Sequence, residues 1–190
     1  LKQFDEKLAV NLIESEYLTY FGSFPPVLER VLDTAKESGS ALESLKLVYG
    51  LEGAENINRL QKETDAVFWI GFGQAETTSF VTASPASECP GASGRPTLIN
   101  SVSVVNEADE QLSVGEEGEI VVRGENVFLE YWNMPDATEY ALRNGWHHTG
   151  DIGRFDEYGY LWYVKRKAEK ELIKSGGENV YPGEVETALL

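Results

Sequence analysis

Ala66-Val67-Phe68-Trp69-Ile70 runs directly into Gly71-Phe72-Gly73-Gln74-Ala75-Glu76-Thr77. Five consecutive apolar, β-branched and aromatic residues read as a strand buried on both faces, and the glycines behind them as the turn at its carboxyl end. In a parallel sheet, that end is where ligands sit. Toward the N-terminus the alternation repeats: Leu45 to Tyr49 predicts a strand and Ala54 to Lys62 a helix. Before them, Pro25-Pro26 opens an amphipathic helix through Val27, Leu28, Val31, Leu32 and Ala35 that Gly39 ends. Tyr17 to Phe21 predicts another strand. Leu8, Leu12 and Ile13 fall at helical spacing behind Asp5, which can cap a first turn. Strands separated by helices imply a parallel α/β sheet with right-handed crossovers.

Toward the C-terminus the texture changes past Thr82, where Pro85, Pro90, Gly91, Gly94 and Pro96 forbid a continued helix or central strand. A sheet of another kind is expected to begin there. Val102 to Val105, Glu119 to Val122, Ile152 to Phe155 and Tyr160 to Val164 are short and β-rich, as in an antiparallel sheet or small barrel, with one helix near Pro135 to Arg143. After Lys165 the chain becomes charged, passes Ser175-Gly176-Gly177 and re-enters a helix at Pro182. The fold class is therefore α/β. Residues 1–84 form part of a parallel α/β subdomain, 85–166 a small antiparallel, β-barrel-like subdomain, and 167–190 a hinge and the start of an α+β domain.

The chain has 190 residues, 42% of them hydrophobic, and a formal net charge of -16. That charge disfavours nucleic acid and anionic lipid, both polyanions. No apolar run approaches the roughly 20 residues needed to span a bilayer. The single cysteine, Cys89, cannot form an internal disulfide, which points to a reducing cytoplasm. A start at Leu1 and an end inside a helical pattern at Ala188-Leu189-Leu190 suggest a piece of a longer protein.

Three segments carry chemistry. In the first, Phe72 offers a flat face for a base and Glu76 a hard oxygen suited to Mg²⁺, although Phe72 as core and Glu76 as a solvated helix cap is an equally open reading. Glu76 stands where a dinucleotide fingerprint would need its third glycine, so a nicotinamide site is rejected. In the second, Gly145-Trp146-His147-His148-Thr149-Gly150-Asp151-Ile152-Gly153, Asp151 lies between glycines at a strand start, where its carboxylate can accept two ribose hydroxyls or simply hold a turn. His147 and His148, adjacent on a strand, point to opposite faces, which argues against a shared metal. The third, Lys165 to Gly177, places five of the chain's 16 Lys and Arg residues within ten positions. Arg166 can fork onto phosphate or ribose oxygens, Lys174 can follow an anion, and Gly176-Gly177 lets a thin ligand pass; a solvated charged face is the plainer alternative.

In order and spacing these segments resemble the adenylate-forming family of acyl-CoA synthetases, luciferases and peptide-synthetase adenylation domains. Phe72 to Thr77 looks like its aromatic-Gly-x-Thr-Glu motif, and Gly94-Arg95-Pro96 like its Gly-Arg-Pro. Gly118-Glu119-Ile120 is similar to its Gly-Glu-Ile strand, Trp146 to Asp151 to Trp-x-x-Thr-Gly-Asp, and Arg166 with Ile173 to Glu186 to its hinge and small domain. More loosely, Gly53-Ala54 looks like its adenine loop. The resemblance implies a two-step reaction of a carboxylic acid, ATP and coenzyme A through an acyl-adenylate. It implies that Gly53, Ala54, Phe72, Gly73, Gln74, Ala75, Asp151, Arg166, Gly176 and Gly177 bind ATP/AMP or the thiol, and that Glu76 holds Mg²⁺. Glu76 and Lys174 would be catalytic. Its wording leans to an acyl-CoA ligase for a fatty, alicyclic or aromatic acid; a carrier-loading adenylation domain and a non-catalytic nucleotide-binding module are the alternatives.

The departures also carry meaning. Ala75 stands where the family has Thr, and the segment between Arg166 and Lys174 is two residues longer than the common pattern, which puts the hinge pivot near Lys170. A phosphate loop upstream and a catalytic lysine downstream are both expected in the family and absent from the sequence, so this piece alone is expected to be inactive.

Overall fold

A computed structural model of the chain describes residues 4–167, together with the backbone of residues 173–175 and 178–180. Helix α1 (Glu6–Ser15) is capped by the Asp5 side chain, which accepts the Leu8 N–H at 2.8 Å. Strand β1 (Tyr20–Ser23) begins later than the sequence predicts. Tyr17 has φ 53 and the Leu18 N–H bonds Ile13 O, so Tyr17-Leu18 forms the exit of α1. Helix α2 (Val27–Ser38) ends at Gly39 in the left-handed conformation, as its position after the apolar stripe predicts. Strand β2 (Leu47–Gly50), helix α3 (Ala54–Glu63) and strand β3 (Val67–Gly73) follow.

Strands β1, β2 and β3 pair in parallel, so their carboxyl ends share one edge. Ala9, Val10 and Ile13 of α1, Leu28, Val31 and Leu32 of α2, Leu60 of α3, and Val48 and Phe68 form one apolar cluster. Burying each large side chain there contributes roughly 1.5–3 kcal/mol. β3 is less evenly buried than its composition predicts: Phe68 is fully buried, whereas Val67 is 39% exposed. Phe68 packs into the cluster that α1, α2 and α3 build, and side chains alternate along a strand, which sends Val67 the other way.

Gly71 to Gly73 also correct the sequence reading, because they are the last residues of β3 and not a turn behind it. They pair antiparallel with β4 (Phe80–Pro85), through a register shift between Phe72 and Gly73. A Cβ at Gly73 would stand 2.3 Å from Ser79 O, so this glycine serves a close strand approach. β4 and the short β5 (Arg95–Pro96) extend the first sheet past Thr82, where a new sheet was expected. Gly94, with φ +82 and only 2.7 Å of room before the Ala83 backbone, lets the chain close in beside β4, where β5 pairs with it.

The second sheet holds β6 (Asn100–Val105), β7 (Gly118–Gly124), β8 (His147–Phe155) and β9 (Leu161–Arg166) in sequential antiparallel order. Among the described residues it is an open four-stranded sheet and not a closed barrel. Helix α4 (Pro135–Ala141), started by its proline, joins β7 to β8. β8 begins at His147, so Asp151 lies inside it and not at its start. Phe72 and Val81 of the first sheet pack with Val104, Ile120, Val122 and Leu161 of the second, which seats the two sheets against each other. Strands β10 (Ile173–Ser175) and β11 (Glu178–Val180) form an antiparallel pair. The Lys174 side chain, Gly176, Gly177, the pivot expected at Lys170 and the helix expected from Pro182 lie outside the described residues.

Candidate functional site

Where β3 ends, Gln74 starts a single 3-10 turn, Ala75–Thr77. Thr77 Oγ1 accepts the Gln74 N–H at 2.9 Å and donates to Gln74 O at 3.0 Å, which locks the turn. Thr78 follows with φ 62, a strained conformation for a β-branched residue. Asn126 holds it: its Nδ2 donates to Thr77 O at 2.7 Å and its carbonyl accepts Thr78 Oγ1 at 2.8 Å.

That turn aims the Gln74 side chain at the second sheet. Nε2 donates to Asp151 Oδ2 at 2.5 Å and to Thr149 O at 3.0 Å, and Oε1 lies 3.1 Å from His147 Nε2. Two acceptors on Nε2 fix the amide, so Oε1 must receive a proton and His147 carries its hydrogen on Nε2. His147 is 1% exposed, edge-on to Phe128 at 5.5 Å. Arg166 Nε lies 3.3 Å from Asp151 Oδ1, so a cation and an amide orient this carboxylate from opposite oxygens. A carboxylate accepts about four hydrogen bonds in all, a capacity that suits a vicinal diol. Both charges are tied down near the surface, with Asp151 6% exposed.

Glu76 is half-buried beside this group. Tyr131 donates its hydroxyl to Glu76 Oε1 at 2.8 Å, and the Phe128 N–H binds Glu76 O at 2.7 Å. Burial first, then the hydrogen bond to Glu76 and its negative charge, push the Tyr131 hydroxyl up to about 12. The hydroxyl thus stays a donor. A single half-buried carboxylate fits Mg²⁺, which takes one or two carboxylates and fills its shell with water and phosphate oxygens.

Behind Asp151 lies a buried carboxylate. Glu119 Oε2 takes Lys167 Nζ at 2.9 Å, His148 Nδ1 at 3.1 Å and Arg143 Nη2 at 3.2 Å, and Oε1 accepts the Gly150 N–H at 2.9 Å. Burial pushes this carboxyl up, but the bonds from Lys167 and His148, the Lys167 charge and the Gly150 N–H outweigh it and hold the group at about 2. His147 and His148 do face opposite sides of β8, one toward Gln74 and the other toward Glu119.

The geometry thus joins Gln74, Asp151 and Arg166, with Glu76 two residues along the same turn and held by Tyr131. Gly53 and Ala54 lie apart, at the start of α3 on the edge where β2 ends; Gly53 caps the helix with extended backbone. Ala75 is exposed on the turn. Phe72 is 8% exposed and packed into the seam between the sheets, so the reading of it as core describes its surroundings. Sequence reasoning gave no role to Tyr131, Phe128 or Glu119. Glu119 sits in the quoted Gly-Glu-Ile segment, which was a signal; Tyr131 had none.

A family model described as AMP-binding enzyme matches residues 1–132. The chain is 32% identical over 191 residues to a feruloyl-CoA synthase of an Amycolatopsis species, covering 98% of this chain and 38% of that protein. It is 34% identical to the medium/long-chain-fatty-acid–CoA ligase FadD8 of Mycobacterium tuberculosis, covering 98% of this chain and 34% of that one. It therefore spans little more than a third of the length of these relatives. The o-succinylbenzoate coenzyme A synthetase of Bacillus subtilis, solved in complex with ATP and magnesium, superimposes with a TM-score of 0.79 at 27% identity, covering 100% of this chain and 40% of that one.

Proposed function

The chain belongs to the AMP-binding enzyme family, and we propose that the protein carrying it is an AMP-forming acyl-CoA ligase for a fatty, alicyclic or aromatic carboxylic acid. The relatives support this reading by name, as a feruloyl-CoA synthase and a fatty-acid–CoA ligase. One observation in the structure carries it. Gln74, at the end of a parallel strand, grips Asp151 from another sheet, and Arg166 holds the other oxygen of the same carboxylate.

In this reading Asp151 accepts the ribose hydroxyls of ATP, and Gln74 and Arg166 fix the angle at which it does so. The acid's carboxylate attacks the α-phosphorus, pyrophosphate leaves, and the thiol of coenzyme A then displaces AMP from the acyl-adenylate. Glu76 would hold Mg²⁺, which would screen phosphate charge. Tyr131 keeps the Glu76 carboxylate in place as a neutral donor. Phe72, 8% exposed, would offer adenine only what the seam leaves open, and Gly53, Ala54, Gly73 and Ala75 would meet the nucleotide at the strand ends. The resemblance assigns Lys174, Gly176 and Gly177, which lie outside the described residues, to the nucleotide or the thiol. The lone Cys89 and the absence, among the described residues, of a helix long and apolar enough to cross a membrane accord with a cytoplasmic enzyme.

The test is CoA-dependent AMP release by the full-length protein across a panel of carboxylic acids. Turnover with one class of acid supports the ligase. Adenylate formation with transfer to a carrier protein but not to CoA supports the carrier-loading alternative. Nucleotide binding without AMP release from any acid favours the non-catalytic module, a reading that Ala75 and the longer segment after Arg166 motivate.

A further inference from the structure

The geometry points to Glu119 as a positioning residue for the nucleotide site: it shapes the backbone that aims Asp151 and clasps the residue that follows Arg166. This rests on the nucleotide reading above and concerns a carboxylate with no contact to that site of its own.

β7 and β8 lose register here. Val121 faces His148 and Glu119 faces Ile152, so β8 carries Thr149, Gly150 and Asp151 through a bulge. Bulges of this kind re-aim a side chain. Gly150 sits at its crest with φ 72. Glu119 Oε1 accepts the Gly150 N–H at 2.9 Å, and the Lys167 N–H binds Gly150 O at 2.8 Å. Lys167 Nζ then returns to Glu119 Oε2 at 2.9 Å. The Gly150 peptide is held on both sides by two residues that also hold each other. Thr149 Oγ1 braces the bulge by donating to Ile120 O at 2.7 Å.

The next residue from each member of this ring is the one that matters. Asp151 follows Gly150, Arg166 precedes Lys167, and those two side chains pair at 3.3 Å. Glu119 therefore sets both halves of the pair through the backbone. It is 6% exposed and draws Arg143 and His148 as well, with Asp109 behind both of those side chains. An acceptor at this point must be negative: an amide would keep the Gly150 bond but turn a donor onto Lys167, His148 or Arg143.

The test is steady-state kinetics of the full-length protein carrying Glu119→Gln, Glu119→Asp or Lys167→Met. Glu119→Gln raises KM for ATP about ten-fold, the scale of one lost hydrogen bond to a charged group, while KM for the acid and for CoA changes less than about two-fold. Glu119→Asp, which keeps the charge, restores part of the loss. Lys167→Met, at the better exposed end of the clasp, raises KM for ATP about three-fold and decides the matter if Glu119→Gln does not fold. Unchanged KM for ATP in folded variants, or a rise in all three KM values together, overturns the inference and leaves Glu119 a packing residue. A wild-type protein that neither binds AMP nor consumes ATP overturns the nucleotide reading itself, and does so before any substitution is made.

Discussion

Gln74 Nε2 lies 2.5 Å from Asp151 Oδ2, a contact that joins two sheets across 77 residues of chain. It spends one neutral side chain on orienting one charged one. Gln74→Leu keeps the size and removes the donor, so Asp151 loses the amide's hydrogen bond. The expected result is a rise of about ten-fold in KM for ATP with a smaller change in kcat. Gln74→Glu sets a second carboxylate against the first, and at neutral pH the loss should exceed that of Gln74→Leu. Equal KM values in wild type and both variants, measured on the full-length protein, would remove Gln74 from the site.

Tyr131 is the donor that keeps Glu76 in place. Its hydroxyl is raised from 10.0 to about 12, so the neutral form is favoured in the folded state. Stability from this contact is fully present below pH 10 and is lost as pH rises through about 12. Ultraviolet titration should show one fewer late tyrosinate in Tyr131→Phe than in the wild type. The same substitution frees Glu76 to wander, and the Mg²⁺ concentration for half-maximal activity should rise about five-fold. If the Mg²⁺ dependence does not move, Glu76 is not the metal carboxylate.

Glu119 makes the opposite prediction in acid. Its pKa is lowered from 4.5 to about 2, so its stabilisation is present above pH 4.5 and is lost as pH falls through about 2. The shift corresponds to a contribution on the order of 3 kcal/mol. Glu119→Gln has no such proton to gain. Acid unfolding followed by tryptophan fluorescence should therefore be steeper in the wild type, with the two proteins converging at the acid end. Parallel curves at constant offset would mean that other carboxylates drive the acid transition.

The parts of this fold that were legible in the sequence are local ones. Asp5 before a helical stripe, Gly39 behind one, and a five-residue apolar run each specify their element through bonds within a few residues. What misled was tertiary. Gly71 to Gly73 read as a turn because glycines punctuate strands, yet β4 returns beside them and recruits them into pairing. Phe72 read equally as a binding face or as core, and only the second sheet, built from residues after Asn100, decided its surroundings. Glu119 was quoted within a strand motif, but its partner Lys167 lies 48 residues on, and no local rule joins them. Of the candidate site, Glu76, Asp151 and Arg166 stood out in the sequence through charge beside glycines, and Gln74 only through the resemblance to a family motif; the donors behind them carry no such local signal.

Phe72 permits the sharpest separation of packing from binding. At 8% exposure it contacts the core of the seam, and Phe72→Ala should cost about 3–5 kcal/mol of stability whatever else the ring does. That variant alone decides nothing, since a loosened seam also moves Gln74, two residues along. Phe72→Leu fills most of the space at a cost of about 1–2 kcal/mol and keeps the two sheets seated, but it has no ring. A base stacked on the ring would then lose a contact worth roughly 1–3 kcal/mol, read as a weakening of AMP affinity of about five-fold or more by calorimetry. Phe72→Tyr, which keeps the ring, should bind AMP as the wild type does. If Phe72→Leu binds AMP with wild-type affinity, the ring belongs to the core alone, and adenine is held by the backbone at the strand ends.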